Sequence, residues 1–322
     1  MGHSGFDQNR RFFLGIIIVN YRTPALVETC LASLEPQLAE IDAGVAIVDN
    51  ASGDGSFEKL TRYCAASTVE NRLKTVAAPK NGGFSAGNNV GFDAISSEYV
   101  LLLNSDAIAR PTALAALARA AADNGETAIF TPQIVSTAGE PLVSRFRRHS
   151  LISEFVEGAQ TGPVTKLFPA GETPIFPADE TTSPDWVSFS AVMIRRGEID
   201  KAGPMDEGFF LYFEDCEYCL RLKAQGANIK YVPDAVFEHD AGGTTKLREK
   251  QGAGARLPGY YYRSRSRYFR QLYGPAGPAI ANIAWGLGRA LARLRGLVGR
   301  PAPRVAESRA RDIWIGWRGD RA

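Results

Sequence analysis

Residues 13–19 read FLGIIIV, an unbroken apolar run in which β-branched side chains predominate. A run of this length and composition predicts a strand that is buried on both faces, as in parallel sheets covered by helices. Thr23 and Pro24 follow and predict the start of a helix over residues 25–34, because proline at an early helical position loses no hydrogen bond.

Strand and helix patterns alternate through the first hundred or so residues. Short apolar runs predict further strands at residues 45–48, 73–77 and 99–103, and helices are predicted at residues 57–64 and 86–95. This alternation predicts an α/β protein with a mostly parallel, doubly wound sheet flanked by helices. A chain of 322 residues, 45% of them hydrophobic, is long enough for one large domain or a domain with extensions.

Charge and cysteine content narrow the class of protein. A net charge of +2 gives no support for nucleic-acid binding by the chain as a whole. Four cysteines are too few for a disulfide framework in a chain of this size, so we expect a reducing cytoplasm, with Cys216 and Cys219 packed as small hydrophobic residues. We expect neither a secretory signal nor a membrane span, since no run of about 18 apolar residues occurs.

Polar residues follow each of the four predicted strands. They lie at residues 20–21, 49–50, 81–84 and 104–106. In open parallel sheets, ligands bind beyond the carboxyl ends of the strands. We therefore expect the four clusters to line one crevice.

Two of these clusters allow both a structural and a ligand-binding interpretation. Asp49 can cap the next helix through an Asx turn, or it can accept a hydrogen bond from the imide N–H of a uracil or thymine ring. Residues 80–91 (KNGGFSAGNNVG) can form a tight turn, or they can bring backbone amides to a pyrophosphate. The segment has neither G-x-G-x-x-G spacing nor a P-loop lysine–serine pair, so neither fingerprint applies.

Asp106 and His239 are candidate metal ligands. Asp106 ends the segment LLLNSD (residues 101–106) and could instead cap a helix before Pro111. A Mg²⁺ ion takes one or two protein carboxylates and fills its shell with phosphate oxygens and water. A lone histidine is more often structural, but the glycines at 242–243 beside His239 favour a metal or phosphate site.

Residues 209–221 (FFLYFEDCEYCLR) place two adjacent carboxylates, Glu214 and Asp215, behind a run of aromatic residues. Aromatic walls desolvate a carboxylate and raise its pKa, which is what a general base working near neutral pH needs. The two acidic segments, about a hundred residues apart, predict an enzyme that deprotonates an acceptor while a cation holds a phosphorylated donor.

Six segments, in this order and spacing, resemble the motifs of family 2 glycosyltransferases. They are IIIVNYRT (16–23), IVDNAS (47–52), NGGFSAGNNVGF (81–92), LLLNSD (101–106), MDEGFFLYFEDCEYCLR (205–221) and FEHDAGGTT (237–245). The similarity extends over roughly residues 12–250 and is greatest to the bacterial rhamnosyltransferase-like branch, which builds cell-surface polysaccharide. It implies a GT-A (Rossmann-like) fold and inverting transfer of a sugar from a nucleotide-diphosphate donor, with Mg²⁺ or Mn²⁺ as cofactor.

The resemblance also implies roles for individual residues. Asp215 takes the proton of the acceptor hydroxyl, and the neighbouring charge of Glu214 raises the pKa of this base unless Arg221 offsets it. Asp106 and His239 hold the metal, and Asp49 recognises the base of the donor. The implied donor site comprises Asn20, Tyr21, Asp49, Asn81, Gly83, Phe84, Asn88, Asn104 and Asp106, and the implied acceptor site comprises Trp186, Asp206 and Glu214.

Two positions depart from the family pattern. Asn104 stands where the D-x-D motif has its first acid. Residues 186–191 (WVSFSA) stand where many relatives have W-x-x-G-A, with Ser190 in place of the glycine that precedes the alanine. The resemblance favours dTDP-rhamnose as donor and a polyprenyl-diphosphate-linked or glycan acceptor, with UDP-hexoses and UDP-galactofuranose as alternative donors. A nucleotidyltransferase acting on sugar phosphates and an inactive sugar-nucleotide-binding protein are the competing functions.

Residues 258–322 differ in composition from residues 1–257, which we interpret as the catalytic domain. Arginine is interleaved with tyrosine over residues 260–273, and residues 276–298 have a helical pattern of leucines among arginines. This basic helical extension could pack on the catalytic domain, or it could lie on an anionic membrane surface with Trp285 at the interface. Because the family members it resembles often use polyprenyl-linked acceptors, we expect a peripheral position at the cytoplasmic face of a bacterial membrane, and no nucleic-acid partner.

Overall fold

A computed structural model describes residues 5–7, 10–179, 182–239, 254–295, 299 and 301–319 of the chain. Within these residues the strands form one eight-stranded and one three-stranded sheet. The strands are β1 (Arg11–Asn20), β2 (Ala43–Asp49), β3 (Leu73–Ala77), β4 (Ser96–Asn104), β5 (Ala107–Ala109), β6 (Ile129–Val135), β7 (Arg145–Phe146), β8 (Pro174–Ile175), β9 (Trp186–Val187), β10 (Ala191–Arg195) and β11 (Ile229–His239).

The strand order of the large sheet is β3-β2-β1-β4-β10-β6-β11-β5. The first four strands in this order are mutually parallel, and Ile16 of β1 lies between Val45 of β2 and Leu101 of β4. Strand β10 is antiparallel to both β4 and β6, and β5 is antiparallel to β11. The mostly parallel α/β sheet predicted from the sequence is confirmed.

Helices cover both faces of this sheet. They are α1 (Pro24–Leu38), α2 (Ser56–Ala66), α3 (Gly83–Ala94), α4 (Ala113–Asp123), α5 (Leu151–Ala159), α6 (Gly162–Leu167), α7 (Arg196–Ala202), α8 (Glu214–Ala224), α9 (Gly259–Tyr273), α10 (Gly277–Leu294) and α11 (Arg309–Asp312), with 3₁₀ turns at Glu70–Arg72 and Pro169–Gly171. The first three helices agree with the predicted positions, although α1 continues past residue 34, with Pro36 inside it, to the buried Leu38.

Side chains of β1 pack alternately into two hydrophobic clusters. Ile16 and Ile18 belong to the cluster that contains Leu31 of α1, whereas Ile17 belongs to the cluster that contains Phe92 of α3. Burying one such side chain completely stabilises the fold by about 1.5–3 kcal/mol. This two-sided burial explains why the first strand is an unbroken apolar run.

The C-terminal helices share one of these clusters with the catalytic part of the chain. Tyr268 and Phe269 of α9 and Ala281 of α10 pack with Phe213 and with other residues of the sheet and of α8. The alternative that places Trp285 at a membrane interface is wrong, because this side chain is 3% exposed and belongs to a separate hydrophobic cluster with Leu257, Tyr262 and Ile313. Among the described residues, no helix has both the length and the hydropathy needed to cross a bilayer.

Candidate active site

The ends of β1 and β2 hold a buried polar network around Asp49. Asn20 lies beside Asp49 in the strand register, and its side-chain Nδ2 donates to Asp49 Oδ1 at 2.7 Å. The Ser52 hydroxyl donates to the same oxygen at 2.6 Å, and the Ser52 backbone N–H donates to Asp49 Oδ2 at 3.1 Å. Asp49 thus makes a turn-capping bond of the kind that the sequence allowed. Tyr21, at the mouth of this network, is exposed.

The glycine-rich segment is joined to this network through Asn50. Its Nδ2 donates to Asn81 Oδ1 at 3.1 Å and to the Gly83 carbonyl at 2.9 Å. Gly83 has a φ of +87°, and a Cβ at this position would overlap the backbone carbonyl of Phe210. The next N–H, that of Phe84, donates to the same Phe210 carbonyl at 2.8 Å. The segment therefore approaches the chain before α8 closely, which requires glycine at residue 83.

Asn88, the last implied donor residue of this segment, faces inward. Its side chain is buried, and Nδ2 donates to the Phe84 carbonyl one turn earlier in α3 at 2.9 Å. Asn88 thus stabilises the first turn of the helix.

Asn104, Asp106 and His239 come together where β4 and β11 end. His239 Nε2 lies 3.1 Å from Asp106 Oδ1 and 3.2 Å from Asn104 Nδ2, because β11 pairs with β5 and brings His239 opposite Ala107. Both Asp106 and His239 are largely buried. The glycines at 242–243 lie outside the described residues.

The donor set of this cluster fits a divalent cation. A carboxylate oxygen and an imidazole nitrogen at adjacent positions are suitable ligands for Mn²⁺, and the carboxylate also suits Mg²⁺. The described residues contain no group of three or more histidines, cysteines or acids that could hold a metal. The described residues would thus supply two such ligands, and phosphate oxygens and water suit the remaining coordination positions.

Glu214 and Asp215 begin α8 directly after two aromatic residues in the left-handed region. Tyr212 has a φ of 71° and Phe213 a φ of 69°, and both values are uncommon for bulky side chains. The Phe213 ring lies 5.6 Å from the ring of Tyr268 of α9, and Phe213 directly precedes the first residue of α8. The turn that presents the two acids is therefore held by packing against α9.

Burial dominates the electrostatics of these two acids. Desolvation raises the pKa of Asp215 to about 7, although backbone N–H groups, including that of Cys216 at 2.8 Å, donate hydrogen bonds to its carboxylate and oppose this rise. Burial and the charge of Asp215 raise the pKa of Glu214 well above its usual range. Burial is the largest cause of the raised pKa of both acids, and the charge of Asp215 adds to it for Glu214. A pKa of about 7 allows Asp215 to take up and release a proton near neutral pH, and the raised pKa of Glu214 favours its protonated form.

Asp215 is linked to the Asn104 cluster through the two residues that precede strand β10 by one and two positions. The carboxylate of Asp215 is hydrogen-bonded by the backbone of Phe189. The backbone carbonyl of the adjacent residue, Ser190, accepts a hydrogen bond from the backbone N–H of Asn104 at 2.9 Å. A carboxylate with a raised pKa and a candidate metal site are thus joined through two consecutive residues, Phe189 and Ser190.

Other predicted residues are engaged within the chain. Arg221 does not offset Asp215, because its guanidinium donates to both oxygens of Glu217 at 2.8 and 3.0 Å. Trp186 is buried, donates from Nε1 to the Arg147 carbonyl at 3.0 Å, and stacks on Phe146. Its contact with an acceptor stays a prediction. Cys216 and Cys219 are buried free thiols, as expected.

Asp206 is bound by helix α9, which sequence reasoning did not connect to the site. Arg267 donates from Nε and Nη2 to the two oxygens of Asp206 at 2.8 and 2.7 Å. Ser264 Oγ donates to the Leu211 carbonyl at 3.0 Å, and the Tyr260 ring stacks 6.2 Å from Tyr212. The three α9 residues recur at helical spacing, which predicts a common face. The sequence contains no signal for the partner of that face.

A comparison with models of known protein families identifies the family of the chain. Residues 15–176 match the model described as Glycosyl transferase family 2. The chain belongs to this family. The match includes the segments that carry Asp49, Gly83 and Asp106, and the family assignment argues against the nucleotidyltransferase alternative.

Individual relatives of this family 2 glycosyltransferase support the assignment. The Low-salt glycan biosynthesis hexosyltransferase Agl10 of Haloferax volcanii is 27% identical over 231 residues, which is 69% of this chain and 66% of that protein, just under two thirds. The N-acetylglucosaminyl-diphospho-decaprenol L-rhamnosyltransferase of Mycobacterium tuberculosis is 25% identical over 248 residues, covering 72% of this chain and 77% of that protein.

A solved structure shows the same fold. The mannosyltransferase PcManGT from Pyrobaculum calidifontis, in complex with GDP-Man and Mn²⁺, superposes with a TM-score of 0.56 at 14% identity, covering 91% of this chain and 77% of that chain. The expected GT-A fold is thereby confirmed.

Proposed function

We propose that this protein is an inverting, metal-dependent glycosyltransferase that moves a sugar from a nucleotide-diphosphate donor to an acceptor hydroxyl. One observation carries the proposal. Asp215, a half-buried carboxylate with its pKa raised to about 7, is linked through Phe189 and Ser190 to Asn104, and Asn104 Nδ2 lies 3.2 Å from His239 of the Asp106–His239 pair. Inverting sugar transfer needs a base beside the acceptor hydroxyl, and it needs positive charge beside the departing diphosphate on the opposite face of the sugar.

The chemistry follows from the placement of these groups. Asp215 takes the proton from the acceptor hydroxyl as its oxygen attacks the anomeric carbon, and the bond from that carbon to the diphosphate breaks on the opposite face. The raised pKa of Glu214 favours its protonated form, which would add no second negative charge beside the base. Asp106 and His239 would hold Mg²⁺ or Mn²⁺, which when bound neutralises charge on the departing diphosphate.

The network around Asp49 suits recognition of the donor base. Its Oδ2 accepts one hydrogen bond from the protein, which leaves it a lone pair for the imide N–H of uracil or thymine. Exposed Tyr21 can lie against the ring of that base. The glycine-rich segment that begins α3 then lies between the base site and the diphosphate site.

The nature of the substrates is inferred from the relatives. A mycobacterial relative is named as an L-rhamnosyltransferase that acts on N-acetylglucosaminyl-diphospho-decaprenol. This supports dTDP-rhamnose as the first donor to test, with UDP-sugars as alternatives, and a polyprenyl-diphosphate-linked or glycan acceptor. Such an acceptor implies a peripheral position at the cytoplasmic face of a bacterial cell membrane.

A ligand screen followed by product analysis tests the proposal. The melting temperature of the full chain is measured with dTDP-rhamnose, UDP-glucose, UDP-galactofuranose and GDP-mannose, each with Mn²⁺ or with EDTA. Ligands that bind the native state raise its melting temperature, so at least one donor should do so in a metal-dependent manner. With that donor and an N-acetylglucosaminyl-diphospho-prenol, NMR should detect a product of inverted anomeric configuration. A chain that binds no nucleotide sugar, or a product of retained configuration, would overturn the proposal.

A further inference from the structure

The outward face of α10 is apolar along its length. Ile280, Ile283, Leu287, Leu291 and Leu294 are all exposed, and Leu287 is exposed to 60%. Their spacing of three or four residues aligns them along one side of the helix over about 21 Å. We call these five residues the outer stripe. An aligned row of exposed aliphatic side chains is unusual for a surface that faces only water.

The inner face of α10 is already fully packed, so the helix cannot turn to bury this stripe. Gly288 approaches the Phe155 carbonyl of α5 so closely that a Cβ would overlap it, and Gly158 approaches the Trp285 carbonyl in the same way. Trp285 lies on this inner face and is buried. The orientation of the helix is therefore fixed by backbone-to-backbone contact.

A buried polar network fixes the same orientation. The Arg265 guanidinium donates to both Glu154 oxygens at 3.1 and 2.7 Å and to Asn282 Oδ1 at 2.7 Å. Asn282 in turn donates to the Ile313 carbonyl at 3.0 Å. Rotating α10 would leave these buried groups without partners, which is costly. The outer stripe thus remains exposed in the folded chain.

The surroundings of the stripe are basic. Helix α10 contains no acidic residue, and Arg293 and Arg295, which is next after the helix, lie on either side of the stripe at 100° per residue. At the end of α6, exposed Lys166 and Leu167 are followed by exposed Phe168, whose ring contacts Phe155 of α5. Apolar groups thus continue from α10 over α5 to the end of α6. The exposed acid of α5, Glu157, is ion-paired with Arg309.

We propose that the outer stripe docks on an anionic lipid surface. Its leucines and isoleucines enter the boundary between headgroups and acyl chains, while Arg293, Arg295 and Lys166 contact the headgroups. A second copy of the chain would fit less well, because pairing this face with itself would bring like charges together. The inference concerns the face opposite to Trp285 and does not depend on which sugar the enzyme transfers.

Vesicle co-sedimentation of the full chain tests the proposal. The wild type should bind phosphatidylcholine vesicles containing about 30% phosphatidylglycerol and should bind pure phosphatidylcholine vesicles at least several-fold more weakly. The triple variant Leu287→Gln/Leu291→Gln/Leu294→Gln should lose at least tenfold in affinity for the anionic vesicles. Arg293→Gln should weaken binding to the anionic vesicles only.

A matched control separates the stripe from apolar exposure in general. Phe176 is exposed to 58%, close to the value for Leu287, but it lies outside the stripe, so Phe176→Gln should bind the vesicles as the wild type does. All altered side chains are exposed, and the melting temperature of each variant checks that it is folded. Unchanged binding by the folded triple variant, or no binding by the wild type, would overturn the proposal. A wild-type dimer that dissociates in the triple variant, with no vesicle binding, would assign the face to a second copy instead. Melting-temperature shifts with nucleotide sugars test the enzymatic proposal separately.

Discussion

The raised pKa of Asp215 has a consequence for stability. The pKa is about 7 in the folded protein against an ordinary value of 3.8, because burial disfavours the ionised form. The protonated form therefore stabilises the fold fully below about pH 4, and this contribution falls as the pH rises towards about 7. Asp215→Asn cannot ionise, so it should melt at a higher temperature than the wild type at pH 8 and at nearly the same temperature at pH 4.

A substitution at an exposed aspartate provides a matched control for this melting experiment. Asp93→Asn alters an exposed carboxylate and should change the melting temperature little at either pH. An Asp215→Asn variant that is no more stable than the wild type at pH 8 would show that the folded protein does not disfavour the Asp215 carboxylate.

The proposal that Asp106 and His239 bind the cation leads to a prediction about how Mn²⁺ affects the melting temperature. If these residues hold the cation, Asp106→Asn should abolish the gain in melting temperature that Mn²⁺ adds to a nucleoside diphosphate, and His239→Ala should reduce it. The measurement compares each variant with diphosphate plus Mn²⁺ and with diphosphate plus EDTA. Two variants that keep the full metal-dependent gain would exclude the pair as ligands.

The acids of the site can be predicted from the sequence, whereas most of their partners cannot. Glu214 and Asp215 follow an aromatic run, and burial is a property of that local neighbourhood. The pairing of Asp206 with Arg267 joins residues 61 positions apart, and the approach of Asn104 to Ser190 depends on where β10 enters the sheet. Contacts of this kind follow from topology, which local patterns do not specify.

The segment between α7 and α8 contacts α9 on one side and the start of α3 on the other, and its contact with α9 leads to a prediction. The Arg267 guanidinium and the Asp206 carboxylate form a bidentate pair that is partly exposed, so their contribution to stability should be at most about 1 kcal/mol. Their effect on positioning should be larger, because the segment leads directly to Asp215. Arg267→Ala should lower kcat several-fold with little change in melting temperature, and Arg267→Lys should recover part of the loss.

A double-mutant cycle decides whether the two residues act together. If they do, Asp206→Asn in the Arg267→Ala background should cost much less activity than it does alone. Fully additive losses would show that Asp206 acts independently of Arg267, for example by contacting the acceptor as the family resemblance implies.

The contact between this segment and the start of α3 depends on Gly83. Gly83→Ala would combine an unfavourable positive φ with overlap of the Phe210 carbonyl. Gly55 has nearly the same φ, +84°, but a Cβ there would meet nothing within 4 Å. Gly55→Ala should therefore cost about 1 kcal/mol, and Gly83→Ala should cost clearly more and should reduce donor binding. Equal losses of stability in urea unfolding would exclude the close approach as the reason for this glycine.

The fold as a whole was partly predictable. Strands β1 to β4 were predicted from apolar runs, because strands buried on both faces are marked by their own composition. The second half of the sheet was not predicted: β10 has only five residues and pairs antiparallel with strands that lie far from it in sequence. The order of strands beyond β4 thus depends on long-range pairing.

The C-terminal helices are more closely joined to the enzyme than their composition suggests. Tyr268 and Phe269 lie in the same hydrophobic cluster as Tyr218 of α8, and α9 also binds the segment before Asp215. The division at residue 257 stays a prediction. Because removal of residues 258–322 would uncover this cluster, single substitutions are the better test of what these helices do.

The turnover of Asp215→Asn, measured beside its affinity for the donor, tests the proposed mechanism most directly. For the wild type, kcat/KM should rise with pH and level off above about 7, as Asp215 ionises. The variant should bind the donor with an unchanged Kd in calorimetry, while its kcat falls about 10²–10⁴-fold. A folded variant that binds the donor and still transfers sugar at a near-normal rate would contradict the assignment of Asp215 as the base.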